Sequence, residues 1–234
     1  MVMTMSGTVS SDPGRTLRAE RAHATRELIL TAAERLFAEH GVLAVSNRQV
    51  SEAAGQGNNT AVGYHFGTKA DLVRAIMRRH AAPIEEIRRR RVAEIGDSAD
   101  LRDWVSCLVR PVTEHLAALG SPTWFARFAA QVMTDPSLRP IIAEEALSSP
   151  SLVRIVEGLN RCLPDLPPET RLERAEMARQ LLVHLVAHRE RALAEGAPTL
   201  RASWHDTANG LIDALVGLWL APVTSPAPPE EEQP

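Results

Sequence analysis

The stretch from Ser46 to Lys69 restricts the fold more than any other part of this 234-residue chain. Gly55, Gly57 and Gly67 punctuate it, so any helix inside it is short. Ser46 followed by Gln49 has the spacing of a capping box, which starts a helix. Val50, Ala53 and Ala54 then share an inward face. Gly55 stops that helix, and Gln56-Gly57 continues the turn. Asn58 or Asn59 caps the next helix, which is about two turns long. Its Val62 and Phe66, four apart, anchor it to a core. Thr60, Ala61, Tyr64 and His65 lie on other faces. Gly67 ends it, and Thr68 to Asp71 form a second capping box that opens a further helix.

Two short helices joined by a tight turn form a shape that a DNA major groove accepts, provided an apolar contact supports the reading helix from behind. Asn58, Asn59 and Thr60 stand where such a helix reaches base edges. Asn can pair bidentately with adenine, and Thr can touch a thymine methyl. Tyr64, His65 and Lys69 suit phosphate contacts, which position rather than specify. On pattern alone the same residues also fit a polar corner in an ordinary helical protein.

The wider pattern narrows the choice. Ile29-Leu30-Thr31-Ala32-Ala33-Glu34-Arg35-Leu36-Phe37 with Gly41, then Arg48, Ala53-Ala54-Gly55 and Tyr64-His65-Phe66-Gly67-Thr68-Lys69, resemble the DNA-binding domain of the TetR family of transcriptional repressors. The resemblance covers residues 25–69. It implies an all-α protein, with a three-helix helix-turn-helix domain over 23–69 and a helical regulatory and dimerisation domain over 70–221. It adds Arg48 to the DNA-contacting residues. There are two departures from the family pattern. The turn Gly55-Gln56-Gly57-Asn58-Asn59 is one residue longer than usual, and Gly63 stands where the family usually has a Tyr.

The net charge of −3 runs against DNA binding, but its distribution does not. Residues 1–95 carry 14 Arg and Lys against 10 Asp and Glu, whereas residues 96–234 carry 12 against 19. A basic front half on an acidic rear half is expected if only the front meets phosphates. Two lone cysteines, Cys107 and Cys162, point to a reducing cytosol without a disulfide framework. No apolar run has the length of a signal peptide or a membrane span. The expected location is cytoplasmic, with no membrane partner.

Along the chain, residues 1–22 read as a disordered arm whose Arg15, Arg18 and Arg21 can reach phosphates or a minor groove. Thr25 to His40 is an amphipathic helix with Leu28, Ile29, Ala32, Leu36 and Phe37 on one face. Ala70 to about Ile95 continues as helix, which Pro83 is expected to kink or break. Arg88 to Arg91 points all round that helix and reads as a solvated, ion-paired face. Helices follow from Leu101 to the 222–234 tail, which is Pro-rich, acidic and unable to pack.

In the second half, Trp104, Cys107, Trp124, Phe125, Phe128 and Met133 cluster as soft, aromatic side chains. They form either plain core or the lining of an apolar ligand pocket, with Gln131, His115, His184 and His188 as its polar groups. His184 and His188 have a chelating i, i+4 spacing, but no third ligand accompanies them; no metal and no cofactor is expected. Gly210, Ala214 and Gly217 form a small-residue stripe on the last helix, and Leu181 and Leu185 lie on an apolar face of the one before it. The resemblance implies that these two helices build a homodimer interface, placing two reading heads on a palindromic operator. It also implies release by a small, mostly apolar effector. An activator or a regulator without ligand fits the same family. A helical enzyme is the rival from another class, and no catalytic signature supports it.

Overall fold

The structure, a computed structural model, describes residues 13–58 and 60–224. Among these residues it is all helix, with ten helices and no strand. The chain divides into two compact units, one ending at Ile76 and one beginning at Met77.

The first unit contains α1 (Pro13–His40), α2 (Asn47–Ala53), α3 (Ala61–Phe66) and the start of α4 (Lys69–Ile95). α1 begins at Pro13, well ahead of the expected Thr25. Proline at the first helical position is pre-set for the helix and loses no needed donor. Arg18 and Arg21 therefore stand exposed on α1 instead of on a disordered arm. Residues 1–12 of that arm lie outside the described residues. Ile29, Ala33 and Phe37 are buried at i, i+4 and i+8, with Leu30 beside them. Leu28, expected on this face, is exposed, because it lies on the other side of Ile29 from Leu30, about 200° round the helix from Leu30 and away from the middle of the buried stripe. Gly41, at φ 90°, closes α1 and donates to the Phe37 carbonyl at 2.9 Å.

The second unit contains the rest of α4, α5 (Leu101–Leu119), α6 (Phe125–Thr134), α7 (Arg139–Leu147), α8 (Pro150–Cys162), α9 (Pro168–Ala194) and α10 (Trp204–Leu220). Three of these helices start where a side chain caps them. Asp100 accepts from Arg102 N, Ser149 from Leu152 N and Ser203 from Asp206 N. α5 packs on α10 and α8, and α6 packs on α9. Trp104, Leu116, Phe128, Ile155, Leu211, Ile212 and Leu215 are fully buried and form the centre of the core.

α4 runs unbroken through Pro83. Pro83 is on the exposed side, where water can take up the carbonyl left without a donor. Of the arginine run, Arg88 pairs with Glu85, Arg89 with Glu86 and Arg91 with Glu114, but the face is solvated only at Arg89 and Arg90, because Arg88, its side chain 11% exposed, is turned against Ser149 at the start of α8. Glu85 also receives the Ser149 hydroxyl and the Ser151 amide. Burial pushes its carboxyl up, but those hydrogen bonds outweigh burial and hold it below the usual range.

Two buried arginines fasten α10 to α9. Arg174 donates to the carbonyls of Trp219 at 2.8 Å and Ala221 at 2.7 Å, at the C-terminal end of α10. Arg189 donates to Arg201 O and Ala202 O, just ahead of its N-terminus, and its guanidinium lies 5.1 Å from the Trp204 ring centroid. Both sets of carbonyls flank the helix ends, where backbone groups lack helical partners.

Candidate functional site

The capping box at α2 is complete. Gln49 N donates to Ser46 Oγ at 3.2 Å, and Ser46 N donates to Gln49 Oε1 at 2.8 Å. Val50, Ser51 and Ala54 are buried. Ala53, expected to face inward, is exposed, and Ser51 occupies the inner face in its place. Gly55 adopts φ 67°, which only glycine takes without strain, and turns the chain. Asn58 Oδ1 then accepts from both Thr60 N at 2.9 Å and Thr60 Oγ1 at 2.7 Å. Thr60, not an asparagine, is the N-cap residue of α3, and Asn58 closes the turn leading into it. Asn59 lies outside the described residues.

α3 has two sides. Ala61, Val62 and Phe66 are buried, so Ala61 joins the inner face. Thr60 and Gly63 are exposed, and Tyr64 is 82% exposed. The Tyr64 ring meets that of half-buried His65 edge-on, with centroids 5.0 Å apart. Arg48, on the exposed face of α2, pairs with Glu52 at 2.8 Å, and this hydrogen bond raises its already high pKa. At α4 the second box forms: Asp71 N donates to Thr68 Oγ1 at 3.1 Å and Thr68 N to Asp71 Oδ2 at 3.2 Å. The Thr68 hydroxyl's own bond holds the Asp71 carboxyl below its usual range.

Two long-range contacts fix this arrangement. Lys69 Nζ donates to Val45 O at 2.6 Å and Val42 O at 3.2 Å, tying the start of α4 to the loop before α2. Two of its three N–H groups are therefore committed inside the protein, and the expected phosphate contact has at most one left. Arg26 on α1 donates through Nη1 to His65 O at 2.9 Å, and its guanidinium lies 4.1 Å from the Phe66 ring centroid. Arg26 thus holds the C-terminal end of α3 from behind.

In the second unit the expected aromatic pocket is filled. Trp104, Cys107 and Phe128 are fully buried. A Cβ placed on Gly158 would come within 2.3 Å of the Trp104 ring, so α8 closes directly over the indole. Trp104 Nε1 donates to Ser98 O at 2.8 Å. Burial pushes the Cys107 thiol up to about 11. Phe125 stacks on His80 with centroids 3.9 Å apart, and His80 Nδ1 lies 2.8 Å from His115 Nε2. Trp124, half-buried, is the N-cap residue of α6. Of the expected pocket residues, Gln131, His184 and His188 do come together, in a groove of about 290 Å³ between α6 and α9 that they share with Arg127, Thr134 and Arg191.

On the expected dimer face, Leu181 is 37% exposed and Leu185 is half-buried. Ala214 and Gly217 are exposed, and a Cβ on Gly217 would meet nothing within 4 Å. Gly210 is half-buried beside the Arg201 side chain. Among the described residues, no group of three or more His, Cys, Asp or Glu is placed to hold a metal, and no helix is long and apolar enough to cross a membrane.

Residues 29–76 match the family model described as bacterial regulatory proteins, tetR family, and residues 106–217 match the tetracyclin repressor-like C-terminal domain. Together the two cover more than half of the chain. The chain belongs to the TetR family. TetR proteins are regulators, not enzymes. The HTH-type transcriptional repressor AcnR of Corynebacterium diphtheriae is 32% identical over 117 residues, covering 49% of this chain and 53% of the relative. AcnR of Corynebacterium glutamicum is 40% identical over 63 residues, covering 27% of this chain and 33% of that protein. The chain thus spans about half the length of the first of these relatives and less of the second. NalD, the secondary repressor of the MexAB-OprM multidrug efflux pump in Pseudomonas aeruginosa, shares the fold with a TM-score of 0.55 at 24% identity, over 86% of this chain and 98% of NalD.

Three residues of this TetR protein carry structural roles that local spacing does not signal. Arg26 reaches a carbonyl 39 residues away. Glu190 reaches from α9 to the start of α6. Gly158 looks like an ordinary helical glycine until Trp104 is placed against it.

Proposed function

We propose that this protein is a transcriptional repressor that binds a palindromic operator as a homodimer and is released by a small molecule bound in its second unit. The observation that carries this reading is the two-sided α3. It sets Thr60, Gly63 and Tyr64 outward over buried Val62 and Phe66, with Arg26 bracing its far end. Asn58 and Thr60 read base edges, and so does Asn59, while Arg48, Tyr64 and His65 contact phosphates. Lys69 adds at most one phosphate contact.

Dimerisation uses the outward faces of α9 and α10, where Leu181, Ala214 and Gly217 are exposed. Family membership supports both the DNA-binding and the dimer parts of the reading, and the repressor relatives support the repressor part. The protein acts in the cytoplasm, where its DNA is. The effector releases DNA by binding the operator-incompetent conformation more tightly, with a coupling of about 1–3 kcal/mol.

Selection from a random duplex pool tests the reading. The expected product is a palindromic site, bound with a steep inverse dependence on salt. Failure to retain any duplex at low ionic strength would overturn it.

A further inference from the structure

The groove between α6 and α9 has a chemistry of its own. Its polar lining is Arg127, Gln131, Thr134, His184, His188 and Arg191, over a floor that includes Ala130 and Ala187. No carboxylate lines it. The nearest one in the hydrogen-bond network, Glu190, is 1% exposed and fully engaged. It accepts from Thr123 Oγ1 at 2.8 Å, Ala126 N at 3.1 Å, Arg127 N at 2.9 Å and Arg127 Nε at 3.2 Å. Glu190 thereby caps the N-terminus of α6, whose own N-cap residue offers no side-chain bond.

The same carboxylate fixes the Arg127 guanidinium, which also donates through Nη2 to Thr123 O at 2.8 Å. Arg127 thus enters the groove already oriented. Its charge is matched by Glu190, but that of Arg191 is matched by no ion pair among the described residues. His188 has no hydrogen-bond partner among them either. His184 Nε2 lies 3.0 Å from Gln180 Oε1, and Gln180 Nε2 donates to Glu176, so that ring is held at one nitrogen.

The geometry points to this groove as the binding site for a small anionic effector carrying carboxylate or phosphate groups, held by Arg191 and Arg127 with the two histidines and Gln131 around it. This rests on the reading of the chain as an effector-controlled repressor and names the ligand class that reading leaves open. A lipophilic ligand would find a floor of alanines only, since the aromatic side chains are taken up by the core. An anion finds a guanidinium fork of fixed orientation and a second cation without a competitor. The volume, about 290 Å³, is at the low end for ligand pockets and suits a compact metabolite.

Calorimetric titration of the full-length protein with inorganic phosphate, succinate and tricarballylate tests the site. At least one of the three should bind saturably at low-millimolar concentration or tighter. Arg191→Glu, at an exposed position, should weaken that binding at least tenfold and leave the helical content unchanged. Arg90→Glu, the same charge change at an exposed site on α4, should leave it unaltered.

Absence of saturable binding by all three probes overturns the proposal, and so does equal binding by Arg191→Glu. Loss of the dimer in Arg191→Glu overturns it too, since the groove would then be a subunit contact. Duplex affinity measured with and without the bound anion separates the two readings. Anion binding that persists in a protein without affinity for any duplex would keep this site and remove the repressor reading.

Discussion

Arg26 lies with its guanidinium 4.1 Å from the Phe66 ring centroid while it donates to the His65 carbonyl at 2.9 Å. One side chain thus satisfies a carbonyl near the end of α3 and covers the aromatic ring that seats that helix. Arg26→Ala removes both contacts and should cost about 2 kcal/mol of unfolding free energy. Duplex affinity should fall for every sequence alike, because α3 loses its brace and not its reading edge. A variant that instead changed which duplexes are preferred would show that Arg26 itself touches bases.

Tyr64 and Lys69 should separate cleanly in experiment. Tyr64 is 82% exposed, so Tyr64→Ala should change stability by no more than about 0.5 kcal/mol while weakening binding to all duplexes. Lys69→Met leaves the Val42 and Val45 carbonyls without their donor and should lower stability by about 1–3 kcal/mol. Its salt slope should stay close to that of the parent. A slope reduced by about one would identify a phosphate contact from the remaining N–H.

Gly63 is exposed in α3, and a Cβ there meets nothing within 4 Å. Gly63→Ala should therefore stabilise the short helix by about 1 kcal/mol and raise the urea midpoint. The duplex preference should be retained. A fall in stability would mean that the space around Gly63 is occupied in solution.

Gly158 behaves in the opposite way. Its Cβ would sit 2.3–2.4 Å from three atoms of the Trp104 ring. Gly158→Ala should cost about 1–3 kcal/mol through overpacking. Combined with Trp104→Leu it should cost less than the sum of the single changes, which a double-mutant cycle on unfolding free energies would read. Strict additivity would contradict the contact.

Gly217 is exposed and has open space around it within its own chain. Gly217→Leu should leave the subunit folded and yet split the dimer, as sedimentation velocity would show. An intact dimer would place the subunit contact elsewhere.

The helix-turn-helix was legible because its signals are local. Ser46 with Gln49, and Thr68 with Asp71, act over three residues, and Gly55 and Gly67 mark the stops. The roles of Lys69 and Arg26 were not legible, since their acceptors lie 24 to 39 residues away. The cap of α3 was sought at Asn58 or Asn59 but is Thr60, because an Asn side chain such as that of Asn58 can close a turn two residues ahead as readily as it caps a helix.

In the second half, apolar periodicity marked Trp104 and Phe128 as inward without showing whether the interior was full or hollow. The glycine that settles the matter for Trp104 is on another helix. The polar groove was half visible: Gln131, His184 and His188 stood out by residue type, while Arg127 and Arg191 were lost among many surface arginines.

Every hydrogen bond by which Arg174 and Arg189 hold the two ends of α10 goes to a main-chain oxygen. Those oxygens are present whatever side chains α10 carries. The outward-facing letters of that helix can therefore drift over generations without loosening its hold on α9, so a lineage can acquire a new assembly preference while each subunit keeps its shape.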